Sequence, residues 1–396
     1  MVKGPRVVDT LNGSAVIVGA YEHPGRRLPG HTLAGVHRDV VAGALADAGL
    51  GLSDVDGFFT DSTAPGLGVI DLMQYLGLQC TYSESSEMGG STYVAYVGHA
   101  AAAIAAGRCR VAVISLAGLP AQRQRVSPPD TPAPVAAFQV NGYGGGYGPV
   151  ADYAVLARRH MHEFGTTSEQ LAWIKAASSQ HAQHNENAFL REPVTVDEVL
   201  SSSMIADPLH KLDCCVVTDG GGALVLVHPD VARELGRAGA TLRGHGESHK
   251  ASIAGEVDLT YSAIRRSGEL AFAEAGITAD RIRYASLYDS FTITVLMALE
   301  DLGFCPRGEG GRFVQDGGLV SGTGRLAVNT DGGGLSNNHP GNRGGMTKVI
   351  EAVRQLRGEA HPAVQVPDLD WAVASGTGFR LSNNHYSSTI VLERFS

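Results

Sequence analysis

The chain has 396 residues, of which 43% are apolar and 18% charged, a composition typical of a globular protein large enough for two packed domains. Its formal charge of −9 and the lack of a basic stripe argue against a nucleic-acid partner. The five cysteines have no C-x-x-C spacing, which favours a reducing compartment over a disulfide framework or a zinc site. Because no stretch has the length of a membrane span, we expect a cytoplasmic protein.

The predicted elements, taken from the N terminus, alternate between apolar strands and helices. AVIVGA (15–20) predicts a first strand, and a helix ends near LADAGL before the short strand in DGFFTDS. A Gly-rich turn then opens the helix in YVAYVGHAAAAIAAG, which is followed by the strand VAVISLAG. Continuous apolar strands that alternate with helices indicate a sheet covered on both faces.

The next segment, about 119–200, is a long excursion that starts in a Pro-rich loop. Excursions of this length usually form functional lids or partner-binding elements. Its GYGGGYG run (142–148) lacks the G-K-[ST] ending of a phosphate loop and does not directly follow a recognisable strand, so we do not expect nucleotide binding there.

The later elements repeat the earlier ones. LADAGLGLSDVDGFFTDS (45–62) resembles FAEAGITADRIRYASLYDS (272–290): each is a helix end, an Ala-Gly pair, an Asp-containing turn and a buried strand that ends in Asp-Ser. A Gly-rich loop, a helix and an apolar strand ending in glycine then recur at 89–118 and 339–378. The conserved order of the elements favours two similar α/β halves, 1–235 and 236–396, over a chance alignment of Ala-rich helices.

Two such halves, each with a Gly-rich turn at a helix start, resemble the thiolase-like superfamily and its sterol-carrier-protein and lipid-transfer-protein branch. The resemblance covers nearly the whole chain, and it implies a layered α-β-α-β-α thiolase fold. Its markers are EMGGSTYVAYVGHAAAAIAAG, LDCCVVTDGGGALVLV, LYDSFTITVLMALEDLGFC and GGGLSNNHPGNRGGMTKVIEAVRQLRG.

The cysteines that thiolases use are missing from the matching positions. The resemblance implies a nucleophilic cysteine in a C-x-S-G motif, where this chain has the four residues from Gly89 to Thr92, and a second cysteine near Leu381 or Ser382. The Asn-Glu-Ala-Phe motif is replaced by Tyr-Asp-Ser-Phe at 288–291, while the Gly-His-Pro motif persists around His339.

The branch includes steroid side-chain aldolases that lack the cysteine and use tyrosines for retro-aldol cleavage of a β-hydroxyacyl-CoA. The resemblance implies that Tyr288 corresponds to one such tyrosine and that His339 replaces the other. Retro-aldol cleavage needs a base, a stabilised enolate and an acid, but no covalent nucleophile. We therefore expect Tyr288, His339 and the adjacent Asp289 to be catalytic.

We expect the substrate-binding groups to surround these residues. Backbone N–H groups at Gly89 and Gly90 would face the thioester oxygen at a helix start, and the missing thiol would leave space for a branched substrate. The same helix-terminus argument favours a neutral His339 imidazole. The SNNH motif at 336–339 recurs at 382–385, and this second copy is either a polar wall of the same cavity or a solvated loop. The remaining candidates are Ser91, Asn338, Gly378, His385 and Tyr386.

Structural roles are the alternatives for several of these residues. Tyr288 could be a core tyrosine, His339 a turn residue before Pro340, and Cys214 and Cys215 core residues. The pairs His160/His162 and His181/His184 are predicted to lie on solvated helix faces rather than to bind metal.

We therefore predict a carbon–carbon bond enzyme that acts on a CoA thioester, by retro-aldol cleavage of the steroid side-chain type. The alternatives are a β-ketoacyl-CoA thiolase or acyltransferase with Cys214 or Cys215 as nucleophile, and a non-catalytic acyl-CoA or lipid carrier or structural subunit. The resemblance also implies a homodimer formed by edge pairing of sheets and a small companion protein with an OB fold and a zinc ribbon. No bound metal or redox cofactor is expected.

Overall fold

The computed structural model describes residues 10–123, 149–251, 258–341, 344–379 and 385–396. The strands in these ranges are β1 (Val16–Glu22), β2 (Gly57–Asp61), β3 (Tyr82–Ser86), β4 (Val111–Gly118), β5 (Met204–Ala206), β6 (Leu209–His210), β7 (Gly220–Val227), β8 (Gly239–Lys250), β9 (Tyr284–Leu287), β10 (Ala327–Val328), β11 (Trp371–Phe379) and β12 (His385–Phe395). The helices are α1 (Leu33–Ala48), α2 (Val69–Leu76), α3 (Thr92–Ala105), α4 (Pro120–Arg123), α5 (Pro149–Phe164), α6 (Ser168–Ala182), α7 (Val196–Ser201), α8 (Pro229–Leu235), α9 (Ile264–Ala275), α10 (Thr292–Asp301), α11 (Gly310–Val314) and α12 (Gly345–Arg357).

The sheet order reveals the two similar halves. Within the described ranges, ten strands form one mixed sheet in the order β10-β9-β11-β12-β8-β1-β7-β4-β2-β3, and β5 and β6 form a separate pair. The order β1-β7-β4-β2-β3 is matched by β8-β12-β11-β9-β10, with parallel pairs around β2 and β9 and antiparallel pairs elsewhere. The halves join where β1 and β8 pair through two residue pairs, Val16 with Thr241 and Ile17 with Ala240.

The repeated sequence segments adopt the same local structure. Helices α1 and α9 both end at a glycine in the left-handed region, Gly49 with φ 72° and Gly276 with φ 69°. A short 3₁₀ turn follows each glycine, and strands β2 and β9 come next. The predicted similarity of the halves is therefore confirmed.

Side-chain alternation along the strands builds the layers. In the first half, Phe59 and Ile114 face a central core with α3 and α12, whereas Phe58 and Val113 face an outer core with α1 and α2. In the second half, one strand face packs on the same central core, and the other packs on α5, α6, α9 and α10. The predicted layered α-β-α-β-α thiolase fold is confirmed.

The predicted excursion contains α4, α5, α6 and α7, while residues 124–148, including the GYGGGYG run, lie outside the described residues. Helices α5 and α6 pack on the outer core of the second half. In the part of the chain that the structure describes, no helix is long and apolar enough to cross a membrane.

The prediction of solvated histidines was wrong for two of the four. His160 is fully buried, and its ring nitrogens lie 2.8 Å from Thr166 Oγ1 and 3.2 Å from Glu300 Oε2. His181 is 1% exposed, and its Nε2 accepts a hydrogen bond from the backbone N–H of Ser321. Both helices are covered on the histidine side by residues distant in sequence.

Candidate active site

A cavity of about 480 Å³ lies at the C-terminal ends of β9 and β11, against the start of α3 from the first half and the start of α5. Binding sites in α/β folds commonly form at this end of the strands. Its polar wall includes Tyr288, His339, Thr377, Cys214 and Cys215, and its apolar wall includes Val150, Tyr153, Val217, Phe291 and Phe379.

Tyr288 and His339 form a hydrogen-bonded pair in this cavity. The phenol oxygen lies 2.9 Å from Nε2 of His339, and each residue is 5% exposed. Tyr288 is held at the end of β9 because its backbone N–H donates to the carbonyl of Ser375 in β11. His339 is held by its own backbone N–H, which donates to Thr218 Oγ1. The two side chains are 51 residues apart in the sequence and meet through strand pairing and a turn.

Burial determines the protonation of this pair. It raises the pKa of Tyr288 well above the usual value, and it lowers the pKa of His339 to about 4. The backbone of Gly344, just before α12, acts in the opposite direction on the phenol pKa. With both groups neutral, the phenol donates to His339 Nε2 when the imidazole proton is on Nδ1. Burial is the largest cause of the lowered His339 pKa, and the expected effect of the helix terminus stays a prediction.

Asp289 points away from the cavity and holds the turn that precedes His339. Its carboxylate accepts hydrogen bonds from the backbone N–H groups of Gly334 and Leu335, in the π-helical turn Gly333–Asn337. Its Oδ1 lies 2.7 Å from Nζ of Lys348, and both side chains are 1% exposed. Asp289 does not line the cavity, so its contacts are those of a positioning residue.

Asn338 likewise supports His339 from outside the cavity. Its side chain donates to Glu22 Oε1 and accepts from Thr218 Oγ1, the same hydroxyl that receives the His339 N–H. The neighbouring Asn337 accepts two hydrogen bonds from Arg26. These contacts attach the second-half turn to β1 and the loop after it in the first half.

The two glycines at the thiolase nucleophile position line the cavity but leave no room for side chains of their own. A β-carbon built at Gly89 would lie 2.8 Å from Cα of Gly378, and one at Gly90 would lie 2.4 Å from the Tyr288 ring. The expectation that the missing thiol leaves space for a branched substrate stays a prediction. The backbone N–H of Gly89 donates to Glu87 Oε1, so the expected free N–H is absent at this position.

The other predicted contacts lie beside the cavity. Ser91 is fully buried and donates to the backbone carbonyl of Tyr386, and Gly378 packs on Met88 and Gly89. Nδ1 of His385 accepts the backbone N–H of Ala263, and the Tyr386 phenol donates to Glu247. Neither His385 nor Tyr386 lines the cavity. Residues 380–384, which include the rest of the second SNNH motif, lie outside the described residues.

Several cavity residues were not predicted from the sequence. Tyr153 and Phe291 form a tilted ring pair with centroids 4.4 Å apart, and Thr377 comes from the glycine-flanked end of β11. Cys214 and Cys215, for which the sequence left a core role and a nucleophile role open, both line the cavity. Burial raises the pKa of both thiols, that of Cys214 to about 12. At neutral pH both are protonated and poorly nucleophilic.

One group of potential metal ligands occurs among the described residues, namely His23, His31 and Asp39, whose ligand atoms lie within 4.8 Å of one another. Burial lowers the pKa of His23, and its Nδ1 accepts the backbone N–H of Gly25. In the structure as it stands, the proton of the neutral ring lies on Nε2.

Known proteins resemble this chain over most of its length. The family described as thiolase C-terminal domain-like matches residues 245–394. A 17-hydroxy-3-oxo-4-pregnene-20-carboxyl-CoA lyase of Mycobacterium tuberculosis is 33% identical over 93% of this chain and 97% of that protein. An acetyl-CoA acetyltransferase of Methanothermobacter thermautotrophicus is 39% identical, but over only 52% of this chain and 55% of that protein.

A solved structure, the Ltp2-ChsH2(DUF35) aldolase, superposes with a TM-score of 0.86 and 32% identity over 97% of this chain and 99% of that chain. At this coverage the similarity extends over both halves of the chain. Lyase and aldolase relatives match nearly the whole chain, whereas the acyltransferase matches about half. The chain belongs to the thiolase-like family that contains these carbon–carbon lyases.

Proposed function

We propose that this chain cleaves a carbon–carbon bond of a β-hydroxyacyl-CoA by a retro-aldol reaction, without a covalent intermediate. This proposal rests mainly on the hydrogen-bonded pair of Tyr288 and His339. The Tyr288 ring occupies the space beside Gly90. A side chain at Gly89 or Gly90 has no room, so the position of the thiolase nucleophile is closed. The phenol and imidazole in the cavity supply proton transfer instead.

The Tyr288–His339 hydrogen bond supports the following proton path. The substrate β-hydroxyl gives its proton to the Tyr288 oxygen while the phenol proton passes to His339 Nε2. The bond between the α- and β-carbons breaks, the β-carbon becomes a carbonyl, and the electron pair moves to the α-carbon and thioester oxygen. The proton stored on the Tyr288–His339 pair then returns to the α-carbon. The products are a ketone or aldehyde and a shortened acyl-CoA, and no free CoA is consumed.

Asp289 has a supporting role in this path. Burial and the Lys348 ammonium lower the pKa of His339 and so disfavour an imidazolium there. The Asp289 carboxylate has the opposite effect and raises this pKa. The carboxylate also fixes the turn before His339 through two backbone hydrogen bonds. Its charge therefore favours the transient protonated state without contact with the substrate.

The apolar wall fits a bulky hydrophobic acyl group. The tilted rings of Tyr153 and Phe291 present an aromatic surface, and Val150 and Val217 extend it. Because the M. tuberculosis relative is named for a steroid carboxyl-CoA, we propose a substrate of the steroid side-chain type for this chain as well.

The test is a mass-spectrometric assay with a β-hydroxyacyl-CoA and a β-ketoacyl-CoA, each with and without free CoA. Cleavage of the hydroxy substrate without CoA is expected, with a fall of about 10²–10⁴-fold in kcat for Tyr288→Phe and His339→Ala. The matched control is Tyr284→Phe, which removes a buried phenol hydroxyl from the same strand, outside the cavity lining, and leaves kcat near wild type.

A thiolase or acyltransferase is the second candidate, supported by Cys214 and Cys215 in the cavity and by the acetyltransferase relative. It requires free CoA and a covalent acyl-cysteine, which mass spectrometry of the intact protein would detect. Loss of activity in Cys215→Ala with the keto substrate would favour it over the aldolase. Binding of acyl-CoA without turnover in any assay would indicate a carrier.

We also propose a cytoplasmic homodimer with a companion protein. Strand β3 lies at the edge of the sheet, where a second copy can pair with it. The solved relative is named for two components, Ltp2 and ChsH2(DUF35), which supports a companion for this chain. Light scattering of the purified chain, with and without such a companion, tests both assignments.

A further inference from the structure

Helix α6 of the excursion contacts the π-helical turn that leads to the cavity histidine. The Ser178 hydroxyl donates to the carbonyl of Gly332 at 2.7 Å and lies 3.0 Å from Oγ of Ser336. The Lys175 ammonium donates to the same Ser336 oxygen at 2.7 Å and to the carbonyl of Leu335 at 2.8 Å. Two side chains of α6 therefore hold this turn at both of its ends.

The direction of these hydrogen bonds follows from the available protons. A serine hydroxyl carries one proton, and that of Ser178 goes to the Gly332 carbonyl. Ser336 must then donate to Ser178, so its oxygen accepts the hydrogen bond from Lys175. The lysine thus begins a chain of hydrogen bonds that ends at Gly332, just before the turn.

Lys175 is an unusual residue for such a buried position. It is 1% exposed, and its hydrogen-bond partners among the described residues are a carbonyl and a hydroxyl rather than a carboxylate. Burial lowers the pKa of Lys175 to about 8, although the charge of Asp289 acts to raise it. A buried ammonium without an adjacent counter-charge is costly, which indicates a role other than stability.

The turn determines where the His339 imidazole lies. The backbone N–H of Asn338 donates to the carbonyl of Gly333 at 3.0 Å, which closes the turn one residue before His339. Nε2 of His339 then meets the Tyr288 phenol at 2.9 Å, and a hydrogen bond of this length weakens when either group is displaced. A shift of Ser336 therefore moves the imidazole relative to the phenol.

We propose that Lys175 is a positioning residue for His339, whose turn it holds so that Nε2 stays within reach of the Tyr288 phenol. This assignment rests on the proposed retro-aldol function. Lys175 is not part of the cavity lining, so it acts on the reaction through the imidazole and not through the substrate. The excursion then contributes twice to the site, because the start of α5 lines the cavity and α6 holds the turn.

The first test introduces Lys175→Met, which removes both hydrogen bonds and keeps a long side chain, into wild type and into His339→Ala. In wild type we expect kcat to fall about 10- to 100-fold with little change in KM, because a misplaced catalytic group costs rate rather than binding. In His339→Ala the same substitution should have almost no further effect on kcat, since it acts through the imidazole.

The matched control is Ser179→Ala on the same helix. Ser179 is also 1% exposed, but its hydroxyl donates to the carbonyl of Ala176 and accepts from the backbone N–H of Val194, both outside the turn. This variant should keep a kcat close to wild type even where it lowers the unfolding midpoint.

The second test adds a variant on the turn and a measurement that needs no turnover. Ser336→Ala removes the hydroxyl that accepts from Lys175, and it should show the same loss of kcat and the same dependence on His339. The imidazole NMR resonances of His339, assigned by their absence in His339→Ala, should shift in Lys175→Met but not in Ser179→Ala.

Three results would overturn the assignment: wild-type kcat in both Lys175→Met and Ser336→Ala, an equal loss from Lys175→Met in the His339→Ala background, or unshifted His339 resonances. If wild type cleaves no substrate, the proposed function fails, whereas shifted resonances still support the positioning of His339 by Lys175.

Discussion

The buried pair of Asp289 and Lys348 permits a quantitative prediction for Asp289→Asn. The charged atoms are 2.7 Å apart and both side chains are 1% exposed, so their attraction is roughly 6 kcal/mol at an effective dielectric constant of 20. Removal of Asp289 leaves the buried Lys348 charge with only the weaker attraction of Asp331 and Glu22, and the loss of a partner costs about 3–5 kcal/mol in comparable pairs. Asparagine keeps an acceptor for the Gly334 N–H, so we expect a loss of this size in the free energy of unfolding, measured by urea denaturation.

The control is the double variant Asp289→Asn with Lys348→Met, which removes both charges. It should regain most of the stability lost by the single variant, because the lysine no longer needs a counter-charge in the interior. A single variant as stable as wild type, or a double variant no better than the single one, would refute the argument that this pair fixes the turn before His339.

Three further predictions concern Gly89, Tyr386 and His99. Gly89→Cys should gain no thiolysis and should unfold at a lower temperature, since Gly89 has φ 60° and its β-carbon would lie 2.8 Å from Gly378; an acyl-enzyme in mass spectrometry would contradict this. Tyr386→Phe should keep kcat within about twofold, because its phenol donates to Glu247 outside the cavity lining, and a tenfold fall at unchanged stability would place it in the site. Burial acts to lower the pKa of His99, but hydrogen bonds to the carboxylates of Glu247 and Glu84 raise it to about 10. This raised pKa stabilises the fold fully below about pH 6.5, and the stabilisation is lost as pH rises through 10. The unfolding midpoint should therefore fall less between pH 7 and 10 in His99→Gln than in wild type. An equal fall in the variant and in wild type would exclude a contribution from His99.

The fold was predictable because its signals are local and occur twice. The segments around Gly49 and Gly276 contain the same sequence of helix end, left-handed glycine, short turn and strand, and each signal rests on backbone preference. Family motifs at 288 and 339 also predicted that Tyr288 and His339 belong together. The roles of these two residues and the boundary near residue 235 stay predictions.

The side-chain packing around the cavity was not predictable from these local sequence signals. The packing of the Tyr288 ring against Gly90 depends on two segments almost 200 positions apart, and no local pattern records it. For the same reason, His160 and His181 were predicted to be solvated, although distant residues such as Glu300 cover them. Side-chain partners across layers require the assembled structure.

The contact between Gly90 and Tyr288 also determines which side chains positions 90 and 288 can hold together. A side chain at position 90 and the phenol ring compete for one volume, and a side chain at Gly89 meets the backbone of Gly378. A thiol at position 90 and the Tyr288 phenol therefore exclude each other in this fold. An engineered exchange between the two has to change both positions at once.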